Sequence, residues 1–234
     1  MSWQFTPDEF IYVAQEFGAD RFPTPLRLLS STRYRSEWDA LAATLRARIP
    51  VRDDPDLLPV LRTIFEPEIT VEVMGERRGA IRAYGAIVSD IGVAVVQRPG
   101  ASPDRGGDLT IRVGSVSIVA RMVGAMAGRC GAGSAGRLVE SMVRLHGRDP
   151  GDSWTSGRSR ASIRMRELLA APRTSSGHVK IGRKGPARYL SWFDVRGDGR
   201  YLYSRRGDDL YVDPCGDQQF IDGLRQLIGA DERV

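Results

Sequence analysis

The chain has 234 residues, a formal net charge of +5 and a pI near 9.5. That length buries a full core without staples, and two cysteines in unrelated contexts, Cys130 and Cys215, do not make a disulfide framework, which suits a reducing compartment. The positive charge is nearly all arginine, since Lys180 and Lys184 are the only lysines, and it is scattered through the chain rather than clustered with aromatics as a nucleic-acid face requires. The opening MSWQFTPDEF has neither the basic nor the apolar region of a signal peptide, and no apolar run is long enough to span a bilayer.

Thr6-Pro7-Asp8-Glu9 is a capping box with proline at the first helical position. It opens a helix with Phe10, Ile11, Ala14 and Phe17 on one face, ending at Gly18. Pro23 and Pro25 break the chain, and 26–29 reads as a short strand. A second helix over 35–48 turns Trp38, Leu41, Leu45 and Ile49 inward. Asp54-Pro55 caps a third, which carries Leu57, Leu58, Leu61, Ile64 and Phe65. After Pro67, strands are predicted at 69–74, 80–88, 93–97 and 109–113, with turns at 75–79 and 89–92 and a polar loop at 101–107. The helix predicted over 116–126 is apolar on more than one stripe, so it is buried on several sides or meets a partner.

Gly131-Ala132-Gly133-Ser134-Ala135-Gly136 spells G-x-G-x-x-G, and a helix is predicted after it through Leu138, Val139, Met142, Leu145 and His146. A dinucleotide fingerprint needs a strand before the loop and a parallel strand ending in an acid after the helix. Neither is evident, so the loop reads as a flexible linker between helices. A nucleotide-dependent enzyme using Gly131 to Gly136 is one alternative function, and a basic nucleic-acid-binding protein is another. Past the polar stretch 147–160, a helix over 159–171 is stopped by Pro172. Strands follow at 178–181, 188–195, 200–204 and 210–212, separated by turns at 182–186, 196–199 and 206–209. Asp213 or Asp217 is expected to cap a last helix, which carries Phe220, Ile221, Leu224, Leu227 and Ile228 and stops at Gly229.

The order of helix, proline, strands joined by short turns and closing helix occurs twice. Val71-x-Val73 matches Val179-x-Ile181, Arg77-Arg78-Gly79-Ala80 answers Arg183-Lys184-Gly185-Pro186, and Asp108-Leu109-x-Ile111 matches Asp209-Leu210-x-Val212. Short turns join antiparallel neighbours. The expectation is one α+β domain over 1–234 with an antiparallel sheet and a diverged internal repeat of halves near 1–128 and 129–234.

No catalytic constellation is evident. The two histidines, His146 and His178, stand apart from any set of ligands at metal-site spacing, and there is no G-x-S-x-G elbow and no P-loop. The Arg-Gly-Asp triplets at 196–198 and 206–208 fall in predicted turns, where glycine and aspartate belong for backbone reasons. The reading is a binding protein, with no catalytic, metal or cofactor residues assigned.

Leu169-Ala170-Ala171-Pro172-Arg173-Thr174 with Gly177, then the hairpin Phe193-Asp194 to Gly197-Asp198-Gly199-Arg200-Tyr201, resembles the EspG family. So do Trp3-x-Phe5-Thr6-Pro7-Asp8-Glu9-Phe10, Pro25-Leu26-x-Leu28 and the helix with Asp56, Leu57 and Leu61. The resemblance covers nearly the whole chain, with a shortening around 127–157. It implies a central antiparallel sheet flanked by two helical bundles with quasi-two-fold symmetry. It also implies a cytosolic chaperone of type VII (ESX) secretion in actinobacteria, which binds the helical tip of the PPE subunit in a PE–PPE heterodimer and needs no nucleic acid or membrane. Without cargo, the exposed groove can also dimerise. Recognition in the family uses the sheet, the loop between its second and third strands and the C-terminal bundle. Here that loop is 75–79, and the candidate partner-binding residues are Met74, Arg77 and Arg78 with the sheet aromatics Trp192, Tyr201 and Tyr203.

Overall fold

In the computed structural model, residues 1–145, 160–183 and 185–229 are described. Ten strands form one sheet among these residues. In chain order they are β1 (Ser2–Phe5), β2 (Ile69–Glu76), β3 (Ala80–Val88), β4 (Ile91–Ser102), β5 (Arg105–Ser115), β6 (Leu138–Ser141), β7 (Arg173–Gly182), β8 (Arg188–Val195), β9 (Arg200–Arg206) and β10 (Asp209–Pro214). The helices are α1 (Pro7–Phe17), α2 (Arg35–Arg48), α3 (Leu57–Phe65), α4 (Ser117–Ala127), the single turn α5 (Met142–Leu145), α6 (Arg160–Ala170) and α7 (Asp217–Ile228).

The sheet runs β1-β5-β4-β3-β2-β7-β8-β9-β10-β6 and is antiparallel throughout. It reads the same outward from its central pair, and each half ends in the strand that opens that half, β1 or β6. The β2–β7 register pairs Val71 with Ile181, Glu72 with Lys180 and Val73 with Val179. Glu72 and Lys180 thus face each other at the centre, with Nζ 3.0 Å from Oε1.

Strand alternation divides the core. On one face, Val71, Val73, Val179, Ile181 and Trp192 pack under α4 and α7, which lie side by side with Val119, Val123, Phe220 and Leu224 turned in. On the other face, α1, α2 and α3 cover Tyr84, Val93, Val95 and Ile111 of the first half. There α6 sets Met165 and Leu168 on Phe193, Tyr201 and Val212 of the second. The central sheet is therefore sandwiched, and the α4–α7 pair crosses its midline.

Local chemistry explains the helix ends. The Glu9 amide donates to Thr6 Oγ1 at 3.3 Å, the Thr6 amide donates to Glu9 Oε2 at 2.7 Å, and Gly18 closes α1 at φ 87°. Asp54 Oδ1 takes the amides of Asp56 and Leu57 at 3.0 Å each. Neither Asp213 nor Asp217 is the N-cap of α7. That place is held by Gly216, whose amide donates to Gln219 Oε1 at 3.1 Å, while Asp213 lies inside β10. The two Arg-Gly-Asp triplets sit at hairpin turns, with Gly197 at φ 79° and Gly207 at φ 59°, the left-handed values that favour glycine.

Three other predictions are corrected. The segment 26–29 is not a strand. Its backbone is satisfied by a side chain: Gln97 Oε1 accepts the Arg27 amide at 2.8 Å, and Gln97 Nε2 donates to the Arg27 carbonyl at 3.0 Å. Residues 138–141 are strand β6, with only one helical turn after it, where a continuous helix was predicted. The loop at 101–107 is mostly strand, because β4 and β5 run on to a turn at Pro103 and Asp104. Strand β1, paired with β5 from Ser2 opposite Arg112 to Phe5 opposite Leu109, was not predicted. His146, most of the stretch 147–160 and Lys184 lie outside the described residues.

Gln97 is 1% exposed, so it anchors the 26–29 segment from inside the protein. A Gln97→Leu variant takes the acceptor from the part-buried Arg27 amide, while the Arg27 carbonyl keeps the Gly106 amide at 3.0 Å, and is expected to lose about 1 kcal/mol in urea denaturation. A loss within error of zero would show that this segment finds other partners.

Candidate functional site

The β2–β3 hairpin turns at Arg77, Arg78 and Gly79, with Arg78 at φ 54° and the Arg77 amide donating to the Gly79 carbonyl at 2.9 Å. Arg77 and Arg78 are exposed. The Arg77 side chain lies back over the C-terminal end of α4: a Cβ added to Gly128 would come 2.2 Å from its Cζ. Only glycine leaves room for the guanidinium there. Arg77 thereby lines a cleft of about 560 Å3 between α4 and α7, together with Ala125, Arg129, Phe220 and Ile221. A second hollow of about 560 Å3 adjoins it across Ala125, floored by Ala94, Val96, Ile118, Met122 and Met126 and edged by Arg112 and Arg121. The broad apolar surface predicted for this helix is thus divided. Val119 and Val123 go to the core, while Ile118 and Met126 are half-buried and border the hollow.

A buried ion cluster holds the wall of this cleft. Arg200, with no exposed surface, donates through Nε and Nη2 to both oxygens of Asp194, at 2.7 and 2.9 Å. Its Nη1 reaches Asp217 Oδ1 at 3.2 Å in the first turn of α7, and its Nη2 reaches the Gly128 carbonyl at 2.7 Å, just past α4. Its guanidinium also lies 4.7 Å from the centre of the Phe220 ring. One residue thus ties the sheet to both helices. Burial pushes the nearby Cys215 thiol up to about 11, and burial likewise raises Cys130, so both remain protonated at neutral pH.

The proposed partner residues do not form one patch. Trp192 and Tyr201 are fully buried, in different cores on opposite faces of the sheet, which removes both as surface anchors. Tyr203 is 38% exposed, with its ring 5.9 Å from Phe193 on the face away from α4 and α7. Met74, half-buried, follows Val73 and so points away from the α4–α7 face as well. Of the six, only Arg77 lines the cleft. Sequence reasoning missed Arg112, Arg121 and Arg129. Their one signal was Arg121 breaking an otherwise apolar helix.

The G-x-G-x-x-G loop is occupied by its own protein. The Gly133 amide donates to the Arg200 carbonyl at 3.1 Å, and the Arg200 amide donates to the Gly131 carbonyl at 2.8 Å. The Ser134 amide is taken by Asp198 at 2.8 Å, and a Cβ on Gly133 would strike the Tyr201 ring at 1.9 Å. A carboxylate and a tyrosine stand where a phosphate would need to lie, in an antiparallel sheet. This overturns both the flexible-linker and the nucleotide-site readings. Among the described residues, no group of three or more His, Cys, Asp or Glu is placed to hold a metal, and no helix is long and apolar enough to cross a membrane.

No curated protein matches this chain. Among solved structures, it is similar to the Mycobacterium tuberculosis type VII secretion system chaperone EspG5, determined in complex with the PE25–PPE41 dimer. Identity is 15%, the TM-score is 0.66, and the match covers 97% of this chain and 96% of that one. At that identity the likeness is one of fold, and it agrees with the sheet and helices described above. The sequence itself matches the EspG family over residues 6–225, nearly its whole length. The chain belongs to the EspG family.

Proposed function

We infer that this protein is a cytosolic chaperone of type VII secretion, which binds the helical tip of the PPE subunit in a PE–PPE heterodimer, keeps it soluble and directs it to its own ESX system. The observation that carries this reading is the end-to-end family match, on a fold similar to a chaperone captured with a PE–PPE dimer. The cleft adds a physical reason. An exposed hairpin tip beside a cleft between two helices, with an apolar hollow adjoining it, is a concave surface suited to the end of a helical hairpin. Shielding that end requires no chemistry, and no catalytic residue is assigned.

Co-expression with each PE–PPE pair of the same genome, followed by size-exclusion chromatography, tests the reading. One pair is expected to co-elute as a three-component complex, and a charge placed at its PPE tip is expected to abolish it. If the chain elutes alone in every case, the chaperone reading fails while the family and the fold stand.

A further inference from the structure

Among the described residues, four arginines around the α4 cleft have no partner of their own. Arg77 and Arg129 line the cleft toward α7, and Arg112 and Arg121 edge the hollow over β4 and β5. All four are exposed. None of their side chains makes an ion pair or hydrogen bond with a described residue. Elsewhere on this surface Arg35, Arg46, Arg144, Arg205 and Arg225 each meet a carboxylate, while others such as Arg52, Arg98 and Arg196 stand singly rather than around one hollow. Near the far edge of the sheet, Arg137 pairs with Asp213 at 3.3 Å and lies over the Tyr211 ring. The single carboxylate lining either hollow, Asp217, is already engaged by Arg200 and by the Cys130 amide at 2.9 Å.

The floor of the hollow between Arg112 and Arg121 is largely apolar, and Ile221 adds an aliphatic side chain in the adjoining cleft of Arg77 and Arg129. Ala94, Val96, Ile118, Met122 and Met126 offer aliphatic carbon and thioether and no exposed aromatic face. Nucleic-acid strands are held by aromatic stacking beside the cations, which this floor lacks. Guanidinium groups rimming an aliphatic trough match a helix that carries apolar side chains along one stripe and carboxylates on both flanks. We propose that the occupant of this trough is an acidic amphipathic helical segment, and that Arg77, Arg112, Arg121 and Arg129 select it by its charge. This rests on the chaperone reading and names the chemistry of its cargo: glutamates or aspartates beside the apolar residues of the bound tip.

The test uses the full chain and two labelled, helix-stapled peptides with the same leucine and methionine stripe, one flanked by glutamates and the other by lysines. Fluorescence anisotropy at low salt is expected to favour the acidic peptide by at least about tenfold, with the preference shrinking as salt rises. Arg112→Glu with Arg121→Glu, and separately Arg77→Glu with Arg129→Glu, are expected to erase or invert it, with thermal unfolding unchanged. Arg→Gln at the same sites provides the comparison if a reversal unfolds the chain. Equal affinity for the two peptides, no binding by either, or tighter binding of a single-stranded oligonucleotide overturns the proposal. The two readings fail separately. A PE–PPE pair that co-elutes equally well with the reversed variants rejects the charge selection alone, and an acidic preference without any co-eluting pair rejects the chaperone assignment alone.

Discussion

Arg200→Met is expected to destabilise the protein by about 3–5 kcal/mol, the cost of removing one partner from a buried ion pair. The Arg200 and Asp194 side chains are 1% and 5% exposed, so the variant leaves a carboxylate in the interior with neither water nor cation. It also strands the Ala127 and Gly128 carbonyls at the end of α4, which Arg200 Nη2 meets at 3.3 and 2.7 Å. Methionine fills much of the volume, so the loss is electrostatic rather than a cavity. For a chain of this size the midpoint of thermal unfolding is expected to fall by roughly 10 °C. Arg200→Lys keeps the charge, but a single ammonium cannot span Asp194, Asp217 and the α4 carbonyls, so an intermediate loss is expected. Arg200→Met combined with Asp194→Leu removes the stranded charge and is expected to recover part of the stability. If Arg200→Met melts within a degree of the parent, the cluster is not a tie between sheet and helices. Partner capture should fall with stability, because the same guanidinium fixes the walls of the cleft.

What could be read from the sequence was local. The Thr6–Glu9 capping box, the glycine turns and the ladder from β2 to β5 depend on residues a few places apart, and their chemistry is written in order along the chain. The misses share a different cause. Strand β1 is four residues whose partner, β5, lies more than a hundred positions on, so nothing nearby marks it. The segment at Arg27 is not a strand because Gln97, seventy positions away, supplies its hydrogen bonds. Around 138–145, Leu138, Met142 and Leu145 have helical spacing, but Leu138 and Glu140 also alternate inward, and pairing with β10 decided for strand. For the site, strand alternation puts Tyr201 and Tyr203 on one side of the sheet but does not fix the side of Trp192, which lies on another strand. Helices cover both sides of β8 and β9, so neither side is a polar, open one. The arginines that edge the trough come from β2–β3, β5, α4 and the segment after α4, and only the tertiary fold brings them together.

Trp192 and Tyr203 should separate core from surface in a single comparison. Trp192 has no exposed surface; its ring meets Phe220 edge-on at 5.7 Å, and its Nε1 donates to Ser175 Oγ at 3.3 Å. It also fills the space over Gly177, where a Cβ would come within 2.3 Å of the indole. Trp192→Ala opens a cavity between the sheet and the α4–α7 pair that backbone shifts cannot close, and is expected to cost about 3–5 kcal/mol. Tyr203, 38% exposed at the edge of the other core, loses only partial contact with Phe193 on truncation, and Tyr203→Ala is expected to cost no more than about 1 kcal/mol. Both are read by chemical denaturation. In the co-elution assay, Trp192→Ala is expected to lower the yield of complex through loss of folded protein. Tyr203→Ala is expected to leave it unchanged, since its ring faces away from the cleft. A Trp192→Ala protein of parental stability that no longer captures cargo would reverse this assignment and return the indole to the binding surface. A Tyr203→Ala protein with the same behaviour would move the contact to the face covered by α6, leaving the arginine trough without its helix.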